Sequence, residues 1–215
     1  MQSRVFSLLL STFICLCLSG ATLSGQKTIR PKLAASADMS AWEFDGNGSW
    51  QISDGKLQLV KAGVPGGPIR RPAALAILKS RLFTRVSLEL EVKCLAAVDV
   101  ERRDVDLVLG YESPAKFYYV HLSAVTDDVH NGIFIVSNSD RRRIDSGKGI
   151  PFLKDQLWHR VRATRDGVTG RIEVYFDGSE QPILSAIDTS IKSGRVGVGS
   201  FDDVAEFRNI KVNGK

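Results

Sequence analysis

The sequence predicts an all-β fold, a jelly-roll sandwich of two antiparallel sheets. Three observations carry this. Apolar residues recur at period 2 along most of the chain, while helical spacing is scarce. Turn signals built on Gly, Asp-Gly and Pro separate these runs. The runs number about ten, more than an immunoglobulin sandwich uses and enough for a jelly roll. Composition agrees. The chain is 43% hydrophobic and 25% charged, which excludes disorder and collagen. It holds 19 Gly against 2 Met, which argues against a helical bundle.

Taken in order, the chain opens with Arg4, an apolar stretch over 5–18, and the small residues Ser19, Gly20 and Ala21. This predicts a signal peptide over 1–21 and a secreted or periplasmic protein. The stretch is too short to span a hydrocarbon layer of ~30 Å. No second apolar run of membrane length follows, so no integral membrane segment is expected in the mature chain. Cys15 and Cys17 leave with the leader and lack a lipoprotein lead-in. Cys94 then stands alone, forms no internal disulfide, and continues the alternation Leu88, Leu90, Val92 as a buried small hydrophobe. Residues 22–37 are polar and aperiodic and read as a linker. Residues 38–215 read as one domain.

Within that domain, 33–41 is the one weakly helical piece. Residues 50–52 and 56–59 flank Asp54-Gly55, a strong hairpin signal. Residues 61–72 (KAGVPGGPIRRP) form a loop between strands. Strands follow at 87–94, 104–109, 116–122 (KFYYVHL) and 132–136 (GIFIV). Residues 158–164 and 171–176 form another hairpin, and 195–201 and 206–212 close the fold. The apolar residues Phe207, Ile210 and Val212 do not share one face on strict alternation. A β-bulge near Arg208-Asn209 reconciles them.

These residues resemble a known group. Trp50-Gln51-Ile52-Ser53-Asp54-Gly55-Lys56-Leu57, the block FYYVHL, the block LWHRVRATRDGVTGRIEVYFDG and the ending GRVGVGSFDDVAEFRNIKVNG are similar to the concanavalin A-like lectin/glucanase superfamily. They resemble its laminin-G-like, glycosidase-related and 3-keto-disaccharide hydrolase-like domains of secreted bacterial proteins. The resemblance covers most of residues 42–214 and lies in scaffold motifs. The catalytic signatures differ. Lys93 stands where family-16 glucanases carry the last acid of E-x-D-x-x-E, and RRDVDLVLGYES replaces the central strands of the hydrolase-like domain.

Several groups are candidates for chemistry. Glu89/Glu91 and Asp104/Asp106 each sit two apart on a strand, ~6.6 Å along it. That spacing suits an acid/base pair and equally suits charge on a solvent-facing sheet. In 117–123, Tyr118, Val120 and Leu122 facing the core would turn Phe117, Tyr119 and His121 outward as a stacking platform for sugar rings. The opposite phase, or cover on both faces, is the alternative. The following loop brings Asp127, Asp128, His130 and Asn131, and the facing turn brings Arg141, Arg142 and Arg143. With Arg160, Arg162 and Arg171, these cations suit carboxylate or sulfate groups. The expected ligand surface is therefore Phe117, Tyr119, His121, Asp127, Asp128, His130, Asn131 and Arg141 to Arg143. His121, Asp127 and His130 are the catalytic candidates. Asp45, Asp177, Asp202 and Asp203 are candidate ligands for a structural Ca2+, with an acidic turn as the alternative.

The expected function is carbohydrate binding on a concave sheet face, including acidic polysaccharide. A glycoside hydrolase or polysaccharide lyase, and an adhesion domain for an envelope protein, are the alternatives. An exported chain without a recognition fold is not expected to bind nucleic acid.

Overall fold

The computed structural model describes residues 25–147 and 150–215. The signal peptide expected over 1–21 lies outside the described residues. The described residues build fifteen strands: β1 (Lys27–Ile29), β2 (Trp42–Gly46), β3 (Ser49–Ser53), β4 (Lys56–Lys61), β5 (Ala74–Leu78), β6 (Arg85–Cys94), β7 (Asp104–Ser113), β8 (Lys116–Ser123), β9 (Gly132–Ser137), β10 (Arg142–Arg143), β11 (His159–Asp166), β12 (Arg171–Phe176), β13 (Leu184–Ile187), β14 (Arg195–Ser200) and β15 (Ala205–Gly214). A 3-10 helix, Ser36–Ala41, falls in the weakly helical segment. Lys27–Ile29, read as linker, instead pairs with β15. No helix among the described residues is long and apolar enough to cross a membrane.

The strands form two antiparallel sheets. The eight-stranded sheet runs β13-β12-β11-β6-β15-β4-β3, with β1 also on β15. The seven-stranded sheet runs β10-β9-β8-β7-β14-β5-β2. The consecutive strands β3–β4, β7–β8, β8–β9, β9–β10, β11–β12 and β12–β13 pair directly. The neighbours β6–β15 and β7–β14 close long returns, as in a jelly roll. Between the sheets lies one apolar core, drawn from the inward residues of both. The 208–209 bulge is present. The β15–β6 register shifts between Arg208 and Lys211, and Asn209 takes φ +53°. That turn lets Phe207, Ile210 and Val212 all reach the core.

The two sheets differ in their outer faces, and this positions the site. β6 alternates buried with half-buried residues, so the eight-stranded sheet has one face to water. In β7 every residue from Asp104 to Tyr111 is buried, and β8 is buried from Phe117 onward. The seven-stranded sheet is therefore covered on both sides. A second apolar layer lies on its outer face, including Leu75, Val108, Tyr111, Phe117, Tyr119, Phe134 and Phe201. The 62–73 loop folds over this layer and packs Ile69 against it. It is tied to the 138–141 turn, where Arg70 N–H donates to Asp140 Oδ1 (2.8 Å) and Arg141 N–H donates to the Arg70 carbonyl (3.0 Å).

Candidate functional site

Tyr118, Val120 and Leu122 point into the inter-sheet core, and Phe117, Tyr119 and His121 point to the opposite face. The expected open platform does not form there. Phe117 and Tyr119 are fully buried within the second apolar layer and have no free ring face for a sugar. His121 closes the end of this layer. Its ring lies edge-on to Phe201 (5.4 Å between centres) and Tyr119 (6.1 Å), and tilted to His130 (5.4 Å).

Directly across β7–β8 from His121 stands Asp106. His121 Nδ1 meets Asp106 Oδ1 at 2.8 Å and Asp104 Oδ2 at 3.8 Å. The Asp104/Asp106 pair, read as catalytic or as solvent-facing charge, is in fact buried beside this imidazole. Asp104 accepts from Phe201 N–H (2.9 Å) and the Ser200 hydroxyl (3.2 Å), while its own N–H donates to Asp203 (2.7 Å). Within this group of side chains, Asp106 Oδ2 and His121 Nε2 are buried without a hydrogen-bond partner. Burial pushes both carboxyls well above the ordinary range, and the nearby Asp106 charge raises Asp104 further. Burial also pulls His121 down to about 4, against the pull of Asp104. The ring is therefore neutral at pH 7.

The 124–131 loop sets His130 above this floor. Asp127 Oδ1 accepts from the N–H groups of Val129 and His130, and the carboxylate also holds His130 Nδ1 at 2.8 Å. Burial holds the His130 pKa below its usual value. Asn131, expected to touch ligand, is buried and structural. Its Oδ1 accepts Ser123 N–H (2.6 Å), and its Nδ2 donates to Thr126 Oγ1 and the Ile150 carbonyl. Asp128 is exposed on the loop.

The three consecutive arginines separate. Arg143 is spent inside the protein. It donates to the carbonyls of Asp127 and Asn131 and pairs with Asp145 at 2.9 Å. Gly132 leaves its space, because a Cβ there would stand 2.8 Å from Arg143 Cζ. Arg142 is exposed and lies 3.7 Å from Asp188. Arg141 alone stays at the site. Its guanidinium stacks on Phe201 at 4.2 Å and donates to Tyr119 Oη at 3.1 Å. Arg160, Arg162 and Arg171 are on the other sheet. They pair with Glu89, stack on Tyr175 at 3.8 Å, and pair with Glu173, respectively.

Together these groups enclose a cleft of about 140 Å³. Asp104, His121 and Phe201 floor it, His130 and Val129 form one wall, and Arg70, Arg102, Arg141 and Asp202 complete the rim. Arg70, Arg102 and Phe201 were not foreseen. They arrive from a loop, a turn and a strand end far apart in sequence, so no local pattern announces them. A larger hollow of about 380 Å³ lies on the outer face of the eight-stranded sheet. Its charges neutralise one another, Arg85 with Asp166 and Arg171 with Glu173. The His121 cleft is the better site because three guanidinium groups, two imidazoles and a buried carboxyl meet there.

The four-aspartate calcium set does not assemble. Asp45 is held by both Arg71 amino groups (2.8 and 2.9 Å) and by Tyr111 Oη. Asp177 is held by His159 Nδ1 and Arg160 N–H, both at 2.8 Å. Asp202 and Asp203 do come together, with Asp104 as third member. Donor atoms of these three lie within 4.8 Å of one another. A second such group is Asp104, Asp106 and His121. The first offers oxygen alone and the second mixes nitrogen with oxygen.

No protein-family model matches the chain, and no curated protein matches it. Solved structures match its fold. A carbohydrate-binding module, CBM66 from Bacillus subtilis, superposes with a TM-score of 0.61 at 17% identity, over 80% of this chain and 94% of that one. A Bacillus subtilis protein of unknown function with a galectin-like fold gives 0.56 at 14%, over 86% and 95%. A Bauhinia forficata lectin in complex with GalNAc gives 0.54 at 12%, over 89% and 99%.

Proposed function

We propose that this concanavalin A-like jelly roll binds a carbohydrate bearing an acidic group, uronate or sulfate, in the His121 cleft. The carrying observation is the convergence of three guanidinium groups and two imidazoles on one small cleft. Arginine suits carboxylate and sulfate because its planar fork donates two parallel hydrogen bonds. Arg141 is already held by Phe201 and Tyr119, so little freedom is lost when it meets a ligand. His121 Nε2 adds a buried, unpartnered ring nitrogen that a hydroxyl can meet. The cleft is well below the ~300 Å³ of a drug-sized pocket. It suits one terminal or branching sugar, not a chain threaded through. Similar folds that are named a carbohydrate-binding module and lectins support the sugar reading. Export, expected from residues 1–21, would place the domain among extracellular polysaccharides.

An array of neutral, uronate-containing and sulfated glycans tests this. Binding to acidic members, weakened by salt, is expected. No binding to any glycan would sink it. One observation favours an enzyme as the second reading. Asp106 orients His121 through Nδ1 and leaves Nε2 for proton transfer. New reducing ends or unsaturated products from acidic polysaccharides would establish a hydrolase or lyase.

A further inference from the structure

Two buried carboxyl groups and one imidazole meet beneath the cleft. Asp104 and Asp106 are 1% and 0% exposed. Among the described residues, the ion-pair partner of both is His121, and neither pairs with lysine or arginine. Asp106 gives an independent sign. Its Oδ2 is buried and unpartnered, although the other oxygens of the two carboxylates are all used.

The spacing suits one ion. His121 Nδ1 lies 2.8 Å from Asp106 Oδ1 and 3.8 Å from Asp104 Oδ2, and donors of the three residues fit within 4.8 Å. Ligands bonded to one ion at ~2.0–2.2 Å stand about 3–3.5 Å apart, so small shifts close the three on one centre.

We propose that Asp104, Asp106 and His121 bind one first-row divalent metal ion of the zinc or manganese class, with His121 as ligand through Nδ1. An imidazole bound to the ion through Nδ1 carries its proton on Nε2, which then donates into the cleft. A nitrogen among three donors disfavours calcium, which takes six to eight oxygens. Asp104 and His121 also line the cleft, so the remaining coordination positions open toward its ligand. The site does not rest on the carbohydrate reading.

The test contains no glycan. The full chain, stripped with chelator, is titrated calorimetrically with zinc, manganese and calcium chlorides. One equivalent of zinc or manganese should bind, and calcium should not. Asp106→Asn keeps the shape and removes the charge. It should weaken binding by roughly a hundredfold or more. The proposal is overturned if neither zinc nor manganese saturates the wild type at millimolar concentration, or if Asp106→Asn binds as well. It is equally overturned if Asp202→Asn abolishes binding while Asp106→Asn does not, which would put the ion on the oxygen set.

Discussion

Asp106 and His121 face each other across β7 and β8, Oδ1 to Nδ1 at 2.8 Å, at the buried end of the aromatic layer. Removing one partner strands the other. His121→Ala should cost about 1–3 kcal/mol in chelator, because it leaves Asp106 buried without its hydrogen-bond partner. Adding Asp106→Asn to that variant should recover part of the loss. Denaturant unfolding of the wild type, both single variants and the double variant measures the coupling. Strictly additive effects would show that the pair does not act as a unit.

Phe117 separates a core residue from a ligand platform. It is fully buried, with Tyr111 and Tyr119 at 5.7 and 6.1 Å between ring centres. Phe117→Ala should cost about 3–5 kcal/mol of stability. An exposed stacking residue would instead lose glycan affinity and leave unfolding unchanged.

His159 predicts a pH dependence. Its Nδ1 and Nε2 meet Asp177 at 2.8 Å and Asp155 at 2.9 Å. Burial opposes its charge, but hydrogen bonds to these two carboxylates win, and its pKa is raised. The unfolded value is ~6.5. The stabilisation is therefore complete below pH ~6.5 and is lost as pH rises through the raised folded value. Melting curves across pH 5 to 9 should converge for wild type and His159→Gln at the alkaline end and diverge at the acid end. Parallel curves would contradict the assignment.

How much of this was legible in the sequence depends on where each residue's neighbours come from. Local signals transferred directly. Asp54-Gly55 forms the β3–β4 turn with φ +52° and +73°, and the odd spacing of Phe207 and Val212 marked the bulge at Asn209. The phase of 117–122 was left open in the sequence, and the structure puts Tyr118, Val120 and Leu122 in the inter-sheet core. The cover over the other phase was not legible. It comes from the 62–73 loop, the 138–141 turn and Phe201, all distant in sequence. Asp104-Val105-Asp106 looks the same whether its carboxylates face water or lie under such a cover. For the same reason, three adjacent arginines gave no hint that Arg143 is internal and Arg141 at the cleft.

Asn209 gives a further check. Its positive φ suits Asn or Gly, and its Nδ2 donates to Glu91 Oε1 at 3.0 Å. Asn209→Val should cost about 1–2 kcal/mol, and Asn209→Gly should change stability by less than about 1 kcal/mol, exchanging one exposed hydrogen bond for an easier backbone. Equal losses for both would show that the side chain, not φ, dominates.

The most direct test of the account is an NMR titration that follows the imidazole signals of His121 and His130 while the strongest acidic glycan from the array is added. The account predicts that both rings shift with one saturating curve, that His159 does not move, and that Arg141→Ala abolishes the effect. Saturable binding that leaves His121 and His130 unshifted, while residues on the outer face of the eight-stranded sheet move, would contradict it.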